Sequence, residues 1–217
     1  MFCPCCNSNL VTNHFLEDKD IPPMKNKSKI IYPKCSICGR PIQFTDVSKY
    51  MKENRKVLLI TGTAGAGKTS IGQLIENKFN YIFVDGDAIQ KRVNSYAKCD
   101  PNFQVDYQAE TINTMLILIA LGYNVVVGYI IYGETLKMYI DELEKYKITP
   151  IFRVLVPERN VCLDRDNTRE CWTAGEVWVD KWYDEMRSYL TTQKSLCIDN
   201  SNETLEETLN NHFVKLL

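Results

Sequence analysis

Val57-Leu58-Leu59-Ile60-Thr61-Gly62-Thr63-Ala64-Gly65-Ala66-Gly67-Lys68-Thr69-Ser70 is the stretch whose reading decides the fold. It opens as an apolar strand, passes through a glycine-rich turn and continues into a helix. From Gly62 to Thr69 it satisfies the phosphate-binding pattern Gly-x-x-x-x-Gly-Lys-Thr in full. The glycines let the backbone form a concave nest whose N–H groups point inward at a phosphate. Lys68 brings positive charge to the outer phosphates, and the Thr69 hydroxyl suits Mg²⁺. The dipole of the following helix adds to the same spot. A tight strand-to-helix connection is the bland alternative. The context speaks against it, because Ile71, Leu74, Ile75 and Phe79 recur at helical spacing directly after the turn. Gly62, Thr63, Ala64, Gly65, Ala66, Gly67, Lys68, Thr69 and Ser70 are therefore the candidate nucleotide-binding residues.

With 217 residues the chain has room for one ordinary domain and a small appendage. A net charge of −1 gives no general attraction to nucleic acid or membranes. No apolar run reaches membrane-spanning length, and the start lacks the basic flank and apolar core of a signal peptide. The nine cysteines are odd in number, which argues against a secreted disulfide scaffold and for a reducing, cytoplasmic setting.

Residues 1–45 differ in texture from the rest. Cys3-Pro4-Cys5-Cys6 and Cys35-Ser36-Ile37-Cys38-Gly39 supply two C-x-x-C units with 28 residues between them. Four thiolates so paired suit a tetrahedral Zn²⁺, with Pro4 and Gly39 favouring the tight turns. The segment resembles a zinc ribbon with ligands Cys3, Cys6, Cys35 and Cys38. Cys3/Cys5 is a rival first pair, and free thiols or two disulfides are the other readings. A structural role is expected for the zinc, since four sulfurs leave no open position. From Met24 to Lys56 there are nine Lys or Arg against Asp46 and Glu53, a basic stretch in a near-neutral chain. A solvated surface accounts for it, and contact with nucleic acid is the alternative. Residues 46–55 read as a polar linker into a main domain over 56–217.

In that domain short apolar runs alternate with helical periodicity. Strands are expected at 57–60, 81–84, 124–127, 151–156 and 195–198. Helices follow from Leu136, Ile140 and Leu143, and from Val179, Trp182, Met186 and Leu190. The run 115–121 is apolar all round and reads as the buried end of a helix. This alternation predicts an α/β fold: a five-stranded parallel sheet with helices on both faces, and ligands beyond the carboxyl ends of the strands.

The second expected strand ends in Val84-Asp85-Gly86-Asp87, which projects two acids towards the phosphate loop. A carboxylate there can take the proton of an incoming hydroxyl. After the fourth strand comes Glu158-Arg159-Asn160-Val161-Cys162-Leu163-Asp164-Arg165-Asp166-Asn167-Thr168-Arg169. Together these motifs resemble the small-molecule kinases of the P-loop class, which include adenylylsulfate kinase, gluconate kinase and chloramphenicol phosphotransferase. The resemblance spans residues 56 to about 200 in order of elements. It implies ATP and Mg²⁺ as cofactors, Asp87 as base, and Asp85 as partner of the metal water shell or the substrate. It also implies that Arg165 and Arg169 close over ATP from one helix face, with Arg159 less certain. The alternatives are that the two acids cap the next helix and that Arg165 and Asp166 form a surface ion pair. The third strand ends in Val127-Gly128-Tyr129, where many relatives carry a metal-shell acid, so Asp85 is the candidate to replace it. Tyr129, with Tyr132 and Glu134 nearby, is a candidate for the acceptor side.

These residues point to transfer of the γ-phosphate of ATP to a hydroxyl of a small molecule. A nucleotide or nucleic-acid end as acceptor, guided by the basic ribbon, is the second reading, and an NTP-gated binding module the third. The ribbon carries its own test. Protein purified without chelator should contain about one zinc per chain, and elemental analysis returning none would remove the ribbon.

Overall fold

The structure, a computed structural model, describes residues 54–97, 106–169 and 173–217. Cys3, Cys6, Cys35 and Cys38 lie outside the described residues, as does the expected boundary between ribbon and linker. Among the described residues no group of three or more His, Cys, Asp or Glu forms a metal site. No described helix is long and apolar enough to cross a membrane.

The described residues form five strands: β1 (Val57–Gly62), β2 (Tyr81–Asp85), β3 (Asn124–Gly128), β4 (Ile151–Leu155) and β5 (Cys197–Ile198). They pair in parallel in the order β2-β3-β1-β4-β5. Among the same residues are seven α-helices: α1 (Lys68–Lys78), α2 (Gly86–Ala97), α3 (Tyr107–Ala120), α4 (Gly133–Glu144), α5 (Arg159–Asn167), α6 (Glu176–Thr192) and α7 (Leu205–His212). Each expected strand is found, with ends shifted by a residue or two. The fifth is shorter, because Lys194–Leu196 close a 3₁₀ turn before it.

β1 is buried along its whole length, as a central parallel strand covered on both faces must be. Its alternating side chains feed two cores. Val57 and Leu59 pack with Val84, Val125, Val127 and Val154 against Ile112, Met115 and Ile119 of α3, Tyr139 and Leu143 of α4, and Met186 of α6. Leu58 and Ile60 pack with Phe83, Val126, Leu155 and Ile198 against Ile71 and Ile75 of α1 and Leu209 of α7. The segment that is apolar all round is the buried C-terminal part of α3, from Met115 to Ala120.

Register brings the strand ends to one edge. Asp85 lies opposite Gly128, Ile60 also opposite Gly128, and Gly62 opposite Leu155. Leu155 in turn lies opposite Ile198. The neighbours of β1 are reached in opposite directions along the chain, so the crevice that α/β sheets offer to ligands opens at its carboxyl end. The glycine-rich turn starts there.

Candidate active site

The turn from Gly62 to Gly67 is wedged between sheet and helices. Gly65 has φ +76°, and a Cβ on it would stand 2.0 Å from the carbonyl oxygen of Cys162 in α5. Only glycine permits both that conformation and that approach. The Thr63 hydroxyl donates to the carbonyl of Val179 in α6 at 2.9 Å. On the far side the Asn200 amide donates to the carbonyl of Ala66 at 3.3 Å. The phosphate loop is therefore held by α5, α6 and the turn after β5.

α1 begins at Gly67 with no side-chain cap and no acid in its first turn. Its leading N–H groups are left to meet an anion. Lys68 is buried and donates to the carbonyls of Gly62 and Thr63, both at 2.9 Å. Burial is the main influence on its ammonium and lowers its pKa, and the Arg169 guanidinium pushes the same way. The carboxylates of Asp87 and Asp85 oppose both. Lys68, Asp85, Asp87 and Arg169 therefore share one electrostatic neighbourhood.

Asp85 is buried at the end of β2, and its Oδ1 accepts the N–H groups of Asp87 (3.0 Å) and Ala88 (3.4 Å). The capping alternative is thus realised, and the capping oxygen belongs to Asp85. Asp87 stands in the first turn of α2, half-buried. Gly86 between them is required by packing, since a Cβ there would lie 2.1 Å from Cγ of Tyr129. That ring comes from the end of β3, and its hydroxyl hydrogen-bonds Oε1 of Gln90 at 3.1 Å. Burial, followed by the charge of Asp87, raises the pKa of the Tyr129 phenol, so it stays a neutral donor. Burial, followed by the charge of Asp87, pushes the Asp85 carboxyl up to about 6.

Two close carboxylates, one of them desolvated, form a donor set that favours a divalent cation. Asp85 also pairs directly with Gly128, so it stands beside the position at the end of β3 where no acid occurs.

The arginines differ from expectation. α5 ends at Asn167, where the Thr168 N–H and hydroxyl both bond the carbonyl of Asp164. Arg169 therefore lies beyond the helix, and the two arginines do not share a helix face. Arg165 donates to the carbonyl of Asn200 at 2.9 Å, on the β5 side. Arg169 pairs with Asp166 at 2.8 Å. The alternative of a surface ion pair between Arg165 and Asp166 gives way to a pair of Arg169 with a fully buried Asp166. Arg159 is held by Asp180 (2.6 Å) and Glu176 (2.7 Å) of α6, which makes it a tie between helices.

The Zeta toxin family model matches residues 43–127. Over 52 residues the chain is 40% identical to cytidine diphosphoramidate kinase of Campylobacter jejuni, a match covering 22% of this chain and 31% of that protein. The tunicamycin resistance protein of Deinococcus radiodurans superposes with a TM-score of 0.53 at 14% identity, covering 73% of this chain and 95% of that one. For a gluconokinase from Sinorhizobium meliloti 1021 the values are 0.51 and 18%, covering 72% and 87%. The chain shares the fold of these two proteins. The family model begins at residue 43 and so does not extend over Cys3, Cys6, Cys35 and Cys38.

Sequence reasoning missed Asp166 and Asn200. The polar run Asp199-Asn200-Ser201-Asn202 after a strand was a usable signal for the second, because such turns sit at the ligand edge of a parallel sheet.

The raised Asp85 pKa fixes a sign. The folded carboxyl holds its proton more tightly than the unfolded one, whose ordinary value is 3.8. Its contribution to stability therefore falls as pH rises from about 4 to about 6, then stays at an unfavourable plateau. Asp85→Asn keeps the capping oxygen and removes that penalty, on the order of 1–3 kcal/mol. The nucleotide-free variant should melt higher than wild type at pH 7–8 and lose the Mg²⁺ dependence of nucleotide binding. Thermal melts across pH check this, and a lower melting point at pH 8 would refute it.

Proposed function

We propose that the protein is an ATP-dependent phosphotransferase that moves the γ-phosphate of ATP to a hydroxyl of a small molecule. The observation that carries this reading is the placement of Lys68 on the carbonyls that end β1 and of Asp85 and Asp87 at the end of β2, beside an uncapped helix N-terminus. A mere nucleotide-binding module has no use for a second carboxylate next to the capping one. Residues Gly62 to Ser70 hold the phosphates through backbone N–H groups. The Lys68 ammonium, released from the carbonyls of its own loop, bridges to the outer phosphates. Thr69 and Asp85 hold Mg²⁺, which when bound neutralises charge on the phosphates. Asp87 accepts the proton of the acceptor hydroxyl, since Asp85 is engaged in capping. Tyr129 and Gln90 fix the wall beside Asp87. Arg169 stabilises charge on the transferred group, and Arg165 borders the nucleotide from the β5 side.

A second reading makes the acceptor a nucleotide. The 40% match to a kinase of cytidine diphosphoramidate favours it, and so does Trp182, whose ring meets Tyr132 edge-on at 5.5 Å near the end of β3. Zinc in residues 1–45, and a nucleic-acid contact through the basic stretch, belong to the same proposal.

Single-turnover assays with γ-labelled ATP separate the acceptors by where the label goes: a sugar-like alcohol, a nucleotide or a nucleic-acid end. Asp87→Asn keeps size and hydrogen bonding but removes the base. It should cost about 10²–10⁴-fold in turnover with little change in ATP affinity. Near-native transfer by this variant would overturn Asp87 as base, and unchanged turnover in Lys68→Ala would overturn the phosphate loop itself.

A further inference from the structure

The carboxylate of Asp166 is used by none of the steps above, yet it is fully buried and binds three groups. Its Oδ1 meets Nη2 of Arg169 at 2.8 Å. Its Oδ2 accepts the N–H groups of Ala174 at 2.8 Å and Gly175 at 3.0 Å. The chain before residues 170–172 and the chain after them are thus fastened to one carboxylate. Gly175 is the N-cap of α6, and its carbonyl accepts the N–H of Val179. The carbonyl of Val179 in turn accepts the Thr63 hydroxyl of the phosphate loop. On the other side, α5 carries Asp166 and also presses Cys162 against Gly65. The contacts form a closed circuit from the phosphate loop through α5, Asp166 and α6 back to the phosphate loop.

We propose that Asp166 is a positioning residue: its buried carboxylate aims the Arg169 guanidinium at the outer-phosphate site and fixes that aim to the phosphate loop through Gly175 and α6. The inference rests on the phosphotransferase reading, because it assigns Arg169 its orientation for that reaction. Three features support it. The carboxylate pairs with a guanidinium on one oxygen and accepts backbone N–H groups on the other, which anchors the cation to the start of α6 through one buried group. The charge of Arg169 acts on the Lys68 ammonium, so the guanidinium stands in the neighbourhood of the glycine-rich loop. With no phosphate bound, two cations near one another repel, and the Asp166 carboxylate is an anion that offsets that repulsion at Arg169. The α5–α6 junction has a separate tie in Arg159 with Asp180 and Glu176, so Asp166 is not needed merely to join the helices.

Asp166→Asn separates the two functions of the carboxylate. The amide oxygen can still accept from Ala174 and Gly175, while its NH₂ faces the Arg169 donor and releases it. The probe is Mg·ADP with and without aluminium fluoride, a mimic of the phosphoryl group in flight. Wild type should bind Mg·ADP more tightly when aluminium fluoride is present. Asp166→Asn should keep Mg·ADP affinity within about 3-fold and lose about 10-fold or more of that tightening, as Arg169→Ala should. Asp166→Asn/Arg169→Ala should match Arg169→Ala alone, because the two residues act as one unit. The double variant removes the opposed donor, so it also serves if the single variant fails to melt cooperatively. Effects that add, or full tightening in Asp166→Asn, would overturn the positioning role. A parallel loss of Mg·ADP affinity and melting temperature would reduce Asp166 to a structural tie and overturn it as well. If wild type binds Mg·ADP and shows neither tightening nor ATP turnover, the phosphotransferase reading falls and this inference falls with it.

Discussion

Burying the ammonium of Lys68 is the constraint on which the rest of the site depends. A cation removed from water needs compensation by hydrogen bonds and opposite charge. Two carbonyls of its own loop supply the first, which fixes the path of Gly62 and Thr63. Asp85 and Asp87 supply the second, which requires β2 to end level with the loop. β2 meets that demand through β3: Asp85 and Ile60 are both registered on Gly128. The order β2-β3-β1 is therefore also an electrostatic arrangement, with β3 alone standing between the strand that delivers the carboxylates and the one that leads to the cation they balance.

The same balance leaves charge of both signs incompletely compensated at the strand ends. Lys68 is compensated only in part, since burial and Arg169 both work against its charge. Asp85 is likewise ionised at a cost, being desolvated and next to Asp87. An incoming anion answers the two cations and an accompanying divalent ion answers the two acids. Strain of this kind lies in the charges, and the backbone around it is held by ordinary packing of Gly65 on α5 and of Tyr129 on Gly86.

The fold was legible because its signals are local. Val57–Ile60, Tyr81–Val84 and Asn124–Val127 are short apolar runs between helical periods, and a parallel sheet buried on both faces needs that pattern. The phosphate loop was legible because backbone geometry selects glycine at fixed positions. The arginines were less so. Spacing of four residues suggests one helix face, but it cannot register that α5 stops at Asn167. What stops it is side-chain chemistry, Thr168 bonding back to Asp164 and Asp166 drawing in Arg169, Ala174 and Gly175. Asp166 reads in sequence as one more acid in a charged helix, and only its partners from eight and nine residues onward reveal a buried anchor.

Asp85 and Asp87 show how far a motif can be divided from sequence alone. Asp-Gly-Asp offers two acids and two roles, capping and chemistry, and either assignment suits the pattern. The structure separates them by burial and partner: Asp85 points back to cap α2, whereas Asp87 sits half-exposed in its first turn. The glycine between them exists for a third residue, since the Tyr129 ring occupies the space a side chain would need. The close packing of Tyr129 on Gly86 thus holds the β2–α2 turn, and with it both carboxylates, against the end of β3. A site assembled in this way gains its directionality from three strand ends at once. That is why one short motif specified its chemistry without specifying which oxygen does which task.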